Sequence, residues 1–172
     1  MRQTKTCSED QPMGELTLTF DTAEVVVDAA PLQGITAGTC VLTLEGELPV
    51  QFLAPGDRVI TRSGAKVLKA IEVVVVRDAA MVRISASALG HDRPEGDLYV
   101  APSQPILVRD WRAKALYGRA VTMVEAQRLA DGDYIRREMV AEVRLFTLRF
   151  EREEVVYASG LELACAPVSI PA

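Results

Sequence analysis

The chain has 172 residues, which is enough for one domain with a substantial core but too few for two. Its formal net charge of −5 argues against nucleic acid as a partner, since phosphate binding uses clustered Lys and Arg. Hydrophobic residues make up 49% of the sequence, but no apolar run approaches the roughly 20 residues of a membrane-spanning helix. We therefore expect no membrane contact.

Thiols and imidazoles are scarce. Cys7, Cys40 and Cys165 are an odd number of cysteines without metal-ligand spacing, which fits a reducing compartment better than a disulfide framework. With His91 as the one histidine, no zinc site is expected, and we predict no metal and no cofactor. Residues 1–12 are polar and lack the apolar core of an export signal, so the sequence predicts a cytoplasmic protein.

The first part of the chain predicts a tail followed by strands. Residues 1–13 are polar and charged without periodicity, which is typical of a disordered tail. Residues 15–21 alternate apolar and polar and predict a half-buried strand, and residues 23–28 predict a second one. We assign residues 14–33 to a β extension and connector, whose role as an edge strand or a dimer contact stays open.

Short strands joined by tight turns are predicted from residue 34 onwards. Residues 65–76 form the strongest β segment, and its four valines, Val73–Val76, favour a strand buried on both faces. Thr122 and Glu125 fit a capping box and predict one short helix over residues 122–129. Further strands are predicted at residues 81–85, 98–100, 106–108, 143–150, 155–158 and 161–163. The pattern predicts an all-β fold of many short strands with at most one or two short helices.

One stretch resembles a known family. It runs from Gly38-Thr39 through Thr43, Gly46 and Pro49-Val50 to Gly56-Asp57 and Val59. This spacing resembles the opening of hedgehog/intein (Hint) self-processing domains, especially their bacterial stand-alone branch. The resemblance implies a horseshoe-like Hint fold over residues 34–164, with residues 165–172 as a C-terminal tail.

The same resemblance implies where the chemistry would be. In Hint domains the first residue is a Cys or Ser that attacks the carbonyl before it, and a Thr-x-x-His element assists. Those positions fall on Gly34, Ala101 and Gln104, and the histidine of a later Phe-Asp-Arg-His element falls on Glu153. Glycine has no nucleophile and glutamine does not titrate, while proton transfer alone is typically worth about 10²–10⁴ in rate. The resemblance therefore implies that no catalytic position is intact.

Two functions stay open. The chain is either a non-cleaving Hint domain that serves as a binding or structural module, or a self-processing domain with another nucleophile. A module of this kind would pair with a protein or peptide by strand addition; the sequence defines neither that partner nor the oligomeric state. The weak candidate nucleophile is Cys40, with Thr36 and Thr39 beside it, although an ordinary strand position favours burial of Cys40 as a small hydrophobe. An engineered variant that is trapped before cleavage would not need all three replacements, at Gly34, Gln104 and Glu153.

Other polar groups are interpreted as structural. His91 belongs to a polar loop over residues 90–97 and is expected to be solvated. Glu153 and Glu154 are neighbours in a strand, so they face opposite sides and do not form a carboxylate pair, and a surface edge is predicted for both. Cys165 is expected to be structural, and Cys7 an exposed thiol.

Overall fold

The computed structural model describes residues 32–169. Those residues form twelve β-strands, one α-helix and two short 3₁₀-helices. The strands predicted at residues 15–21 and 23–28 lie outside the described part. The elements in chain order are β1 (Ile35–Thr36), β2 (Cys40–Thr43), β3 (Gly46–Pro49), a 3₁₀-helix (Val50–Phe52), β4 (Arg58–Thr61), β5 (Gly64–Val67), β6 (Ala70–Ile84), β7 (Leu98–Val100), β8 (Pro105–Val108), α1 (Trp111–Tyr117), β9 (Thr122–Glu125), a second 3₁₀-helix (Ala126–Leu129), β10 (Ile135–Arg149), β11 (Glu154–Ala158) and β12 (Leu161–Cys165).

The strands form two sheets. Strands β1, β10, β6 and β7 form a small closed barrel. The second sheet has the order β3-β2-β4-β11-β12-β8-β9, and β5 pairs with β4. One large apolar cluster draws buried residues from both sheets, among them Val41, Ile84 and Leu163. A smaller cluster contains Met81 and Leu145, and Leu32 packs against it where the described chain begins. The all-β prediction is confirmed.

The longest elements are β6 and β10, which are distant in sequence and pair antiparallel along nearly their whole length as a two-stranded ribbon. The sequence predicted one strand at residues 65–76 and another at residues 81–85. In the structure β5 ends at Val67, and β6 then runs without a break from Ala70 to Ile84. The prediction of strands buried on both faces is wrong for this segment, since Val73 and Val75 are 50% and 41% exposed. The reason is tertiary, because this stretch of the ribbon has neighbours on one face only.

The prediction of a helix over residues 122–129 is wrong. Its first half is strand β9, in which Val124 pairs with Ile106, and its second half is a 3₁₀-helix. The β-branched Thr122 and Val124 fit a strand once β8 offers a neighbouring edge, and this outweighs the capping pattern.

The α-helix of the described residues is α1. Asp110 caps it by accepting a 2.9 Å hydrogen bond from the Arg112 N–H. Gly118 ends it with a left-handed φ of 66°, a conformation that glycine adopts without strain. Neither α1 nor any other helix within residues 32–169 is long and apolar enough to cross a membrane.

Candidate functional site

The candidate site lies where the described chain enters the domain, along the turn that joins β7 to β8. The Ser103 N–H donates to the Leu32 carbonyl at 3.1 Å, and the Ala101 N–H donates to the Gly34 carbonyl at 3.2 Å. One residue later, Ile35 pairs with β7 and with β10. The peptide bond between Gln33 and Gly34 is therefore held against the β7–β8 turn.

The turn itself is fixed by its sequence and by a neighbouring helix. Pro102 presets the φ angle of the second turn residue, and the Gln104 N–H closes the turn on the Ala101 carbonyl at 3.0 Å. From the other side, the N–H groups of Ala126 and Gln127 donate to the Gln104 and Pro102 carbonyls at 3.0 and 2.9 Å. The backbone of Gln104 is consequently held on two sides.

The side chain of Gln104 uses both ends of its carboxamide. Its Oε1 accepts a 3.1 Å hydrogen bond from the Gly34 N–H. Its Nε2 donates to the Ala164 carbonyl at 2.9 Å and to the Pro105 carbonyl at 3.2 Å. Because the residue is 5% exposed, this buried network links the entering segment to β12. A carboxamide is neutral, so it cannot release a proton to the Gly34 nitrogen.

A side chain at Gly34 would be crowded. It is buried with a φ of +129°, a region that favours glycine. A Cβ atom there would lie 3.1 Å from the Phe146 carbonyl oxygen and 3.2 Å from Thr147 Oγ1. The adjoining cavity, lined in part by Gln33, Gln104 and Thr147, has a volume of about 10 Å³, which is close to the space of one water molecule.

Of the four positions implied by the resemblance, three meet in this site. Gly34, Ala101 and Gln104 are joined by the hydrogen bonds described above. Glu153 is exposed between β10 and β11, away from the residues that line the cavity. Its neighbour Glu154 is the first residue of β11, is 7% exposed and accepts a 2.9 Å hydrogen bond from Thr61 Oγ1. The prediction of a surface edge is therefore wrong for Glu154.

Cys40 belongs to β2 and does not line the cavity. Its N–H donates to Ser159 Oγ at 3.1 Å, and its carbonyl accepts from the Ser159 N–H at 2.8 Å. The Thr39 carbonyl accepts from the Val50 N–H at 2.9 Å. Both halves of the Thr39–Cys40 peptide bond are thus tied into the sheet. The side chain is half-buried, whereas burial was predicted.

The remaining candidate groups are held in structural roles. The Thr36 hydroxyl donates to the Tyr99 carbonyl at 3.0 Å. Cys165 lines the cavity, and burial raises the pKa of its thiol to about 12, which keeps it protonated. The His91 side chain is 97% exposed and lies 3.3 Å from the Asp92 carboxylate, as expected for a loop residue. Residues 32–169 contain no cluster of three or more metal-ligating side chains.

Sequence reasoning missed two contributors to the site. Thr147 lies on β10 opposite Gly34, and the Ala164 carbonyl on β12 receives the Gln104 side chain. The alternation around Thr147 marks it as a strand residue, but no local signal places it beside a residue more than a hundred positions earlier. Backbone acceptors such as Ala164 leave no trace in the side-chain sequence.

The protein thus combines a long two-stranded ribbon, a second folded sheet and an entering peptide bond held against a turn. Solved structures with a similar fold are inteins and intein-like domains. They include the bacterial intein-like domain from Clostridium thermocellum, with a TM-score of 0.55, 15% identity and coverage of 78% of this chain and 99% of that chain. The TvoVMA intein has a TM-score of 0.52 at 12% identity, covering 77% of this chain and 96% of that one. A splice-inactive variant of the AceL NrdHF class 3 split intein has a TM-score of 0.52 at 12% identity, covering 80% and 100%.

The sequence itself matches a family model described as Hint domain over residues 33–164. The chain belongs to the Hint domain family, and the prediction of a Hint fold is confirmed. No curated protein sequence matches it significantly.

The buried network of Gln104 is expected to be a major source of stability. In Gln104→Leu, the Gly34 N–H and the Ala164 carbonyl lose their partners inside the protein, and each unsatisfied buried group costs about 1–3 kcal/mol. We expect urea unfolding to show a loss of about 3 kcal/mol. Gln51→Leu is the matched control, because Gln51 Oε1 also accepts a glycine N–H, that of Gly38 at 2.8 Å, but in an exposed position. A loss in the control equal to that in Gln104→Leu would contradict the role of burial.

Proposed function

We propose that this Hint domain does not cleave the bond between Gln33 and Gly34, and that it serves as a binding or structural module that keeps its N-terminal segment attached. The observation that supports this most directly is the hydrogen bond from the Gly34 N–H to Gln104 Oε1. Cleavage by the family route needs a nucleophile on residue 34 and a proton for its nitrogen. Gly34 has no nucleophile, and Gln104 meets that nitrogen as an acceptor.

Hydrolysis without a protein nucleophile is also disfavoured. A cavity of about 10 Å³ leaves space for about one water molecule beside the bond. Activating that water would need a general base nearby. The single histidine of the chain, His91, is 97% exposed in a loop, and Cys165 is a protonated thiol. The contacts of the site therefore hold the Gln33–Gly34 bond in place and supply no group that would cleave it.

The module interpretation gives the domain a binding mode. Residues 32–36 of the chain itself lie against β7 and the β7–β8 turn, and the adjoining cavity of about 10 Å³ leaves no room there for a second extended segment. A protein or peptide partner would instead pair with a strand edge that is still open, where main-chain hydrogen bonds supply affinity and alternate side chains supply specificity.

Self-processing at the Thr39–Cys40 bond is the competing function. Cleavage there would need the Cys40 thiolate to attack the Thr39 carbonyl, and no described contact of Cys40 supplies a base. It therefore enters only as an outcome of the experiment.

The test is intact-mass spectrometry of the purified chain, with and without dithiothreitol, over several days. We expect the mass of uncut Met1 to Ala172 in both samples. A thiol-dependent fragment beginning at Gly34 would contradict the proposal at the family position. A fragment beginning at Cys40 that is absent from a Cys40→Ala variant would establish the competing function instead.

A further inference from the structure

The edge of strand β5 is open in the described part of the chain. Strand β5 pairs with β4 and with no other described strand. Thr61 and Gly64 close a tight two-residue turn, Lys66 lies opposite Val59, and the Leu68 N–H donates to the Asp57 carbonyl at 2.8 Å. Antiparallel strands bond to a given neighbour at every second residue, so the N–H and carbonyl groups of Ala65 and Val67 face away from β4.

A groove runs along this edge. It has a volume of about 340 Å³ and lies between β5 and the turn that joins β10 to β11. Val67 lines it and is 42% exposed, so the groove offers apolar surface that an added strand could cover. The groove thus combines two unpaired backbone positions with an apolar side chain.

The charges along the groove are mainly positive. Lys66, Lys69 and Arg152 line it, and no described carboxylate lies within ion-pair distance of any of them. Of the two acidic residues that also line it, Glu154 is 7% exposed and engaged by the Thr61 hydroxyl. Glu151 is the one exposed acid opposed to three cations. An acidic strand would therefore fit this edge better than a basic one.

The sequence predicts such a strand near the N-terminus. Residues 15–21 alternate Leu16, Leu18 and Phe20 with polar residues, and the whole stretch from residue 14 to residue 33 holds four acidic residues and no Lys or Arg. We propose that residues 15–21 bind the open edge of β5 as an added strand, with the acidic residues of this stretch near Lys66 and Lys69. The inference goes beyond the proposed function, because it concerns a different edge of the fold from the Gly34 site.

The tether allows this contact. The described chain begins at Leu32, which packs against the cluster that contains Leu145 of β10. Phe150, which lines the groove, lies five residues further along the chain than Leu145, or about 17 Å in extended conformation. The ten residues from 22 to 31 span up to about 33 Å when extended. A segment held this close has an effective concentration in the millimolar range, which favours even weak pairing.

The test is hydrogen exchange of the Ala65 and Val67 amides in the full chain, read by NMR. We expect both amides to be protected, and to exchange at least about tenfold faster in Leu18→Pro, because proline removes the pairing of residues 15–21. Thr6→Pro is the matched control, since it places proline in the same N-terminal region outside that strand, and it should leave the protection unchanged. The Leu163 amide in β12 reports that the domain is folded in each variant.

Three results would overturn the proposal. Free exchange of Ala65 and Val67 in the unaltered chain would mean that nothing covers the edge. Protection that survives Leu18→Pro would mean that residues 15–21 are not the occupant. Protection that rises with protein concentration would assign the edge to a second copy of the chain. None of these results bears on cleavage at Gly34, which the mass measurement decides separately.

Discussion

Replacing Glu162 by glutamine is expected to cost about 3 kcal/mol of unfolding free energy. The carboxylate of Glu162 is 4% exposed and is shared by three guanidinium groups, with Arg62 at 3.4 Å, Arg93 at 3.1 Å and Arg109 in direct contact. Its removal leaves three cations facing one another without the anion that compensates them. The estimate is at the lower end for a buried ion pair because Arg62 and Arg109 remain 42% exposed and keep part of their hydration.

The effect should extend over several connections. Arg62 belongs to the β4–β5 turn, Arg93 to the loop after β6, and Arg109 to the end of β8, while Glu162 lies on β12. Urea unfolding of Glu162→Gln measures the cost. Glu142→Gln is the control, because the Arg77–Glu142 pair is 74% and 60% exposed and such pairs contribute little. A loss below about 0.5 kcal/mol in Glu162→Gln would mean that solvent already screens the cluster.

This cluster shows what a sequence withholds. Its members are separated by up to a hundred positions, and each occurs in an ordinary charged context. Alternation marks Leu161 and Leu163 as strand residues, but it makes Glu162 look like the solvated side of that strand. The loops carrying Arg62 and Arg93 cover that side, so the buried charge follows from the topology.

Strands were predicted correctly where the alternation of apolar and polar residues along the chain matches the burial in the fold. Residues 155–158 and 161–163 alternate and are strands β11 and β12. The valines at Val73–Val76 misled, since β-branched residues suit an exposed ribbon as well as a buried sheet. Helix α1 had readable ends, Asp110 before it and Gly118 after it, but its seven residues are too few for a convincing period.

The site was predictable in position and not in mechanism. The resemblance placed Gly34, Ala101 and Gln104 at corresponding points, and the structure brings these three together. The direction of the Gln104 hydrogen bonds depends on the Ala164 carbonyl and on backbone geometry at Gly34, which side-chain identities do not encode. Glu153 was placed by the later Phe-Asp-Arg-His element, and its exposed position follows from its place in the turn between β10 and β11.

The double variant Gly34→Cys with Gln104→His is expected not to cleave, although it supplies the nucleophile and the histidine of the Thr-x-x-His element that the family resemblance implies. The cysteine Cβ would lie 3.1 Å from the Phe146 carbonyl oxygen and 3.2 Å from the Leu145 Cβ. A backbone oxygen in a paired strand cannot move aside cheaply. The residue would also have to hold a φ of +129°, which costs a non-glycine residue about 1–3 kcal/mol. The thiol would therefore be displaced from the carbonyl that it has to attack.

Unfolding free energies separate the two costs of a cysteine at Gly34, which are steric crowding and the positive φ angle. We expect Gly34→Cys alone to lose about 1–3 kcal/mol more than Gly38→Cys, with the excess due to crowding. Gly38 is the matched control, because its φ is +89° but a Cβ there meets no atom within 4 Å. Both values come from urea unfolding, and the intact mass is then followed with dithiothreitol at urea concentrations where the variants are folded.

The obstacle to cleavage is therefore expected in the backbone at Gly34 as well as in the side chains. If the side chains at residues 34 and 104 alone prevented cleavage, the double variant would yield a thiol-dependent fragment beginning at residue 34. That result would show that the backbone is competent and that Ala101 and Glu153 do not prevent cleavage. An uncut, destabilised double variant would instead mean that the φ angle at Gly34 and the contacts with Phe146 and Thr147 stabilise the intact chain, and that any return to cleavage requires β10 to move first.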